Sequence, residues 1–174
     1  MSTTELQTVT TPRLSIRRFL QQPARLILRL LGWRIANDPP DIPRYVLIGA
    51  HHTANFDGIL LLLVGTALQM RVNFLMKDSL FRGIMGPVAR RLGGIAIDRS
   101  TRHNVVDQIA GLMQSQPRMV IAIAPEGTRR KVPYWRSGFY HIARAADVPL
   151  VLAYADYQRK VVGFGPVLDL TGDI

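Results

Sequence analysis

The stretch YVLIGAHHTANFDGILLLLVGTALQM, residues 45–70, decides the fold class of this 174-residue chain. It opens with a short apolar run, Tyr45–Ala50, of the length expected for a buried strand. A polar corner follows, and then a second apolar run, Asp57–Met70, which predicts a helix. Its apolar part falls short of the ~20 residues needed to cross a bilayer, so we expect a buried helix. A strand, a connection and a helix in this order begin a βαβ unit.

Strand-like and helix-like segments continue to alternate after residue 70. Alternation of this kind predicts an α/β fold with a mostly parallel central sheet flanked by helices. The expected strands are 72–76, 95–98, 119–124 and 150–155, with a return strand at 161–164; the expected helices are 102–115 and 137–146, with 80–92 helical or irregular.

The N-terminal segment LSIRRFLQQPARLILRLLGWRI, residues 14–35, has a basic amphipathic pattern. Pro23 interrupts it, which predicts a pair of short helices. The pair either packs on the core with a solvated arginine face or lies in a membrane interface with Trp33 near its end. We therefore divide the chain into residues 1–36, a tail with amphipathic helices, and residues 37–174, the α/β domain.

The composition limits the partners. Lys and Arg number 22 against 12 Asp and Glu, a formal charge of +10. Such a surface favours nucleic acid, an anionic membrane or a phosphorylated substrate. The chain has no cysteine, which excludes disulfides, thiolate nucleophiles and cysteine-ligated zinc, and which fits a cytosolic setting.

Three charged clusters follow predicted strands: HHTANFD (51–57), Asp98–Arg99 and PEGTRR (125–130). In open α/β sheets, ligands bind beyond the carboxyl ends of the strands. We therefore expect the three clusters to converge on one edge of the sheet.

The first cluster offers a candidate base. Asp57, in the first turn of the predicted helix, can reach back to His52, fix its tautomer and leave the other ring nitrogen as a base. The plainer interpretation is a helix-capping aspartate beside an unrelated histidine. No third ligand follows His51 and His52 at a standard spacing, so no metal site is predicted. No protein nucleophile is indicated either, and the pair suggests activation of a substrate hydroxyl.

The other clusters offer cations. Arg99 and Arg129 would make a phosphate clamp if they share an edge with His52, because guanidinium groups bind phosphate in a bidentate manner. Lys77 closes the second strand on the same edge. Gly127 allows the backbone to approach a ligand closely. Glu126 either orients Arg129 or holds the loop, and the residue pattern favours the structural role.

Four blocks in this order resemble the glycerolipid (lysophosphatidate-type) acyltransferases. They are the H-x4-D block His52–Asp57, the block Gly94–Arg99, the E-G-T-R block Glu126–Arg129, and the proline block Val148–Leu152, with the segment KDSLF (77–81) before the second. The resemblance covers roughly residues 44–155. The residues around the first and third blocks depart from the common pattern and resemble a short bacterial branch.

The resemblance implies an O-acyltransferase that moves a fatty acyl chain to a lysophospholipid hydroxyl, without an acyl-enzyme intermediate. His52, oriented by Asp57, would be the general base. The donor would be acyl-CoA or acyl carrier protein, a co-substrate, and no cofactor is expected. The residues expected to bind substrate are Lys77, Arg99, Glu126, Gly127, Thr128 and Arg129.

The family also implies a peripheral protein on the cytoplasmic face of the inner membrane, seated on anionic lipid by the N-terminal helices. The alternative is a basic module that binds nucleic acid or anionic lipid without catalysis. Charge alone supports that alternative, and no stacking motif or recognition helix stands out. We therefore expect no nucleic-acid partner.

Overall fold

The computed structural model describes residues 14–50, 55–81, 85–97, 102–128 and 132–170. Within these ranges a seven-stranded sheet has the order β1-β7-β6-β2-β5-β3-β4. The strands are β1 Arg34–Ile35, β2 Arg44–Gly49, β3 Val72–Lys77, β4 Gly94–Ile97, β5 Met119–Ile123, β6 Leu150–Asp156 and β7 Val161–Leu168. The α-helices are α1 Leu14–Leu30, α2 Asn55–Ala67, α3 Met85–Arg91, α4 Arg102–Ser115 and α5 Gly138–Ala146, with a 3₁₀ turn at Asp78–Phe81.

The sheet is mostly parallel. β2 pairs in parallel with β5 and β6, and β3 pairs in parallel with β4 and β5. Only the pair β6–β7 is antiparallel among the described strands. The predicted α/β fold with a central, mostly parallel sheet flanked by helices is therefore confirmed. The two-residue strand β1 was missed, because two residues carry no periodicity.

The central strands are buried on both faces. Along β2, Val46 and Ile48 belong to a core cluster with α4 and α5. Tyr45 and Leu47 belong to a second cluster, against which Leu61 of α2 packs. Successive side chains of a strand point to opposite faces. The apolar run that begins the quoted stretch therefore serves two cores, which is why it reads as continuous rather than alternating.

The predicted pair of N-terminal helices is wrong, because α1 is a single helix with Pro23 inside it. A proline in a helix interior removes one backbone hydrogen bond and costs ~3 kcal/mol. Contacts with α2 follow the proline directly: Ala24 and Leu28 are buried in a shared cluster with Leu60. Tertiary packing of this kind stabilises helices more than local propensity does, so the helix continues through the proline.

Two side chains of α1 also cap the end of α2. Gln21 Nε2 and Arg25 Nε donate hydrogen bonds of 3.1 and 3.2 Å to the Ala67 carbonyl oxygen. The last carbonyls of a helix lack partners within it, so these bonds fix α1 on α2.

The division of the chain between residues 36 and 37 stays a prediction. In the ranges given above, no helix combines the length and the apolar character required to traverse a bilayer.

Candidate active site

The topology directs the chain to one edge of the sheet at the ends of β2, β4 and β5. The strands β2, β5, β3 and β4 are neighbours in this order, and each pair is parallel. The segments that follow them therefore leave from the same, carboxyl, edge. His52, Arg99 and Arg129 lie outside the described residues, so the hydrogen bond expected between His52 and Asp57 stays a prediction.

Asp57 lies in the first turn of α2, as expected from the sequence. Its Oδ1 accepts a hydrogen bond from the hydroxyl of Tyr157, a residue that follows β6. Burial, then this hydrogen bond and the negative charge of Asp57, raise the pKa of the Tyr157 phenol to about 12. The carboxylate is therefore anchored by a neutral donor from a distant part of the chain.

An aromatic cluster holds Tyr157 in place. Its ring meets Trp33 edge-on, with centroids 5.0 Å apart and an interplanar angle of 89°. Phe56, next to Asp57 in α2, lies 6.5 Å from Tyr157 and 6.4 Å from Trp33. Trp33 is only 5% exposed. Edge-to-face aromatic pairs at these separations are attractive, so the phenol occupies a defined position beside α2.

The turn after β5 buries a carboxylate. Glu126 is 5% exposed, and neither of its carboxylate oxygens has a hydrogen-bond partner in the part of the chain that the structure covers. Backbone bonds hold the turn instead: Gly127 N donates to Ala124 O at 3.0 Å, and Arg136 N donates to Pro125 O at 2.8 Å. A buried, unpaired carboxylate is costly. The cost favours a role in which Glu126 binds or orients a positively charged group, rather than one in which it supports the loop.

Gly127 and Arg136 are packed against each other. Gly127 has φ +62°, and a Cβ added there would lie 2.9 Å from Arg136 Cδ and 3.1 Å from Arg136 Nε. The Arg136 side chain therefore lies over the glycine in the turn after β5. Thr128 is half-buried beside them. Lys77 ends β3 with an exposed side chain.

Replacing Gly127 with Ala is expected to lower the free energy of unfolding by about 1–2 kcal/mol, the cost of a left-handed conformation at a residue with a Cβ. The contact with Arg136 would add to this loss. Chemical denaturation measures the change. Gly111 in α4 is the matched control, because an added Cβ there meets nothing within 4 Å. Gly111→Ala should raise stability by about 0.5–1 kcal/mol; equal effects of the two variants would contradict the prediction.

The sequence did not point to Tyr157 or to Arg136 as site residues. Tyr157 follows the strand β6, so the rule that ligands bind beyond the carboxyl ends of parallel strands could have included it. Its partner Asp57 is 100 residues away, and no spacing reveals such a pair. The position of Arg136 depends on the conformation of the turn at Gly127. The sequence indicates that a turn is present but does not indicate which side chain packs against it.

Comparisons with known proteins agree with the fold. A family model described as Acyltransferase matches residues 36–154. No curated protein matches the chain. The crystal structure of the 1-acyl-sn-glycerophosphate (LPA) acyltransferase PlsC from Thermotoga maritima is similar, with a TM-score of 0.60 and 16% sequence identity over 92% of this chain and 73% of that chain.

The family model covers more than half of the chain and includes the corner after β2, the end of β4 and the turn after β5. The similar structure supports the fold. Its sequence identity of 16% is too low to indicate the substrates of this chain. The predicted family and the predicted enzyme class are confirmed. Membership also counts against a basic binding module without catalysis. With a mostly parallel sheet flanked by helices and a family model that spans residues 36–154, the chain belongs to the acyltransferase family.

Proposed function

We propose that this acyltransferase moves a fatty acyl chain from acyl-CoA or acyl carrier protein to a hydroxyl of a lysophosphatidate-like lysophospholipid, as a step of phospholipid biosynthesis. The observation that carries the proposal is the anchored carboxylate of Asp57 in the first turn of α2, directly after the edge of β2. PlsC from Thermotoga maritima, a similar protein of known structure, is a 1-acyl-sn-glycerophosphate (LPA) acyltransferase, which supports the acceptor class.

The reaction needs a base and no covalent intermediate. His52, oriented by Asp57, takes the proton of the acceptor hydroxyl as the oxygen attacks the thioester carbonyl carbon. A C–O bond forms, the C–S bond breaks, and the departing thiolate receives the proton from the imidazolium.

The anionic head of the acceptor would bind at the same edge. Arg99 and Arg129 would grip the phosphate, with the exposed Lys77 at the end of β3 assisting. The buried carboxylate of Glu126 supports this assignment, because such a group is stabilised by a nearby guanidinium. Glu126, Gly127 and Thr128 would then shape the phosphate site from the turn after β5.

We also propose a peripheral position on the cytoplasmic face of the inner membrane. The surface of α1 supports the contact with an anionic membrane. One face of the helix, with Ala24 and Leu28, is buried against α2. Phe19, Leu26 and Leu30, spaced by seven and four residues, share another face and are 79%, 57% and 78% exposed. The exposed arginines lie at positions 18, 25 and 29. An apolar face beside a basic one suits an interfacial helix.

Replacing Phe19 with Ser is expected to weaken binding to vesicles of phosphatidylglycerol and phosphatidylcholine by about tenfold, because a large apolar side chain no longer enters the interface. Vesicle co-sedimentation measures the change. Gln22→Ser, at an exposed position of the same helix, is the matched control and should bind as the unchanged protein does. Equal binding by all three proteins would contradict the membrane seat.

The proposed activity is tested with a panel of lysophospholipid and polyol acceptors offered with one acyl-CoA, and in parallel with one acyl carrier protein, read by mass spectrometry. We expect transfer to lysophosphatidate-like acceptors and little transfer to neutral polyols. Absence of transfer to every lysophospholipid with both donors would refute the proposal. Preference for an uncharged acceptor would refute the phosphate site alone.

A further inference from the structure

The hydroxyl of Tyr157 is a partner of Asp57 that comes from outside α2. Tyr157 follows β6 and donates to Asp57 Oδ1. β6 is the parallel neighbour of β2, so both residues leave the sheet from the same edge. The segment after β6 thus reaches the corner after β2, although the two are remote in the chain.

The position of this hydroxyl is fixed by packing. Trp33 and Phe56 both contact the Tyr157 ring, and Trp33 is almost fully buried. Three segments of the chain contribute to this cluster: the residues after α1, the first turn of α2, and the residues after β6. A donor held in this way fixes the rotation of the carboxylate that accepts from it, since a hydrogen bond weakens steeply when its angle departs from linear.

The chemistry leaves room for the histidine. A carboxylate has two oxygens with about four lone-pair sites between them. A hydrogen bond from the phenol to Oδ1 is therefore compatible with one from an imidazole N–H to the same carboxylate. The raised pKa of the phenol, about 12, keeps the donor proton in place throughout the neutral and mildly alkaline range.

We propose that Tyr157 is a positioning residue for acyl transfer: its hydroxyl fixes the Asp57 carboxylate, which in turn orients His52. This inference rests on the proposed function, because it assigns Tyr157 to the same base. It places the determinant of base geometry in the segment between β6 and β7, outside the four sequence blocks. Tyr157 acts through Asp57 and makes no contact with the reacting atoms.

The test replaces Tyr157 with Phe, which keeps the ring and its aromatic contacts and removes only the donor. We expect kcat to fall about tenfold, the effect of one hydrogen bond to a charged group, with KM for donor and acceptor unchanged. Tyr154→Phe is the matched control, because both tyrosines are 45% exposed and the Tyr154 hydroxyl lies beside Gly163. It should keep the kcat of the unchanged protein.

A double-mutant cycle separates positioning from general damage. In the Asp57→Asn background, Tyr157→Phe should change kcat by less than about twofold, since both substitutions interrupt the same relay. A kcat of Tyr157→Phe equal to that of Tyr154→Phe, or an equal loss in the two backgrounds, would overturn the inference. If the unchanged protein transfers no acyl chain to any acceptor, the proposed function fails; normal transfer by Tyr157→Phe, with loss in His52→Ala, sinks only the role of Tyr157.

Discussion

Replacing His52 with Ala is expected to lower kcat for acyl transfer by about 10²–10⁴-fold, the usual contribution of a positioned general base. Without the imidazole, the acceptor hydroxyl must lose its proton to water as it attacks the thioester. Asp57→Asn should give a smaller loss, because the imidazole remains but its tautomer is no longer imposed by a carboxylate. Steady-state rates with a saturating acyl donor and lysophosphatidate measure both losses.

The control for this prediction is His141→Ala. His141 is an exposed residue of α5 that also carries an imidazole, and its loss should leave kcat unchanged. Thermal unfolding of all three variants shows whether the fold survives. Full turnover in a folded His52→Ala variant would reject the assignment of the base, and a larger loss in Asp57→Asn than in His52→Ala would reject the order of the two roles.

Glu126→Gln is expected to act on stability and on activity in opposite directions. The carboxylate is 5% exposed and has no hydrogen-bond partner among the residues described above. Removing the charge while keeping the shape should raise the free energy of unfolding by about 1–3 kcal/mol, the usual desolvation penalty of a buried polar group without a partner. Most buried polar groups have partners, and an exception such as this one is often explained by a functional role.

The same substitution should lower kcat/KM by about 10- to 100-fold, the value of hydrogen bonds to a charged group, because the carboxylate would no longer be present to orient Arg129 when the acceptor phosphate binds. Denaturant unfolding and steady-state kinetics measure the two effects. Asp107→Asn, at an exposed position of α4, changes the net charge equally and should alter neither quantity. A Glu126→Gln variant that is less stable and fully active would show that the carboxylate has a structural role.

The layout of the sheet could be predicted from the sequence because it depends on long apolar runs. Runs such as Met119–Ile123 have no polar residue and must be covered on both faces. The helix Arg102–Ser115 was predicted at its observed bounds, since its apolar residues recur with a helical period. Pro23 misled the prediction because the compensating contacts come from α2, whose position relative to α1 is not encoded locally.

The candidate site could be predicted in part for the same reason. Residues at or just after the ends of strands, such as Lys77 and Glu126, were placed by the strand pattern and by the parallel sheet. The contact of Tyr157 with Asp57 and that of Arg136 with Gly127 depend on how loops fold back over the edge. Neither contact leaves a period or a motif in the sequence, so neither could be predicted from it.

The attachment of α1 to α2 has a consequence for how a lipid reaches the edge of the sheet. Gln21 and Arg25 of α1 bind the carboxyl end of α2. Trp33, which follows α1, contacts Phe56 at the amino end of α2. The two helices therefore run side by side in opposite directions. If α1 rests on the bilayer, α2 stands off by one interhelical spacing, about 8–10 Å. An acceptor lipid must then move out of the bilayer by that distance to be esterified. Each methylene group that it exposes to water costs about 0.8 kcal/mol.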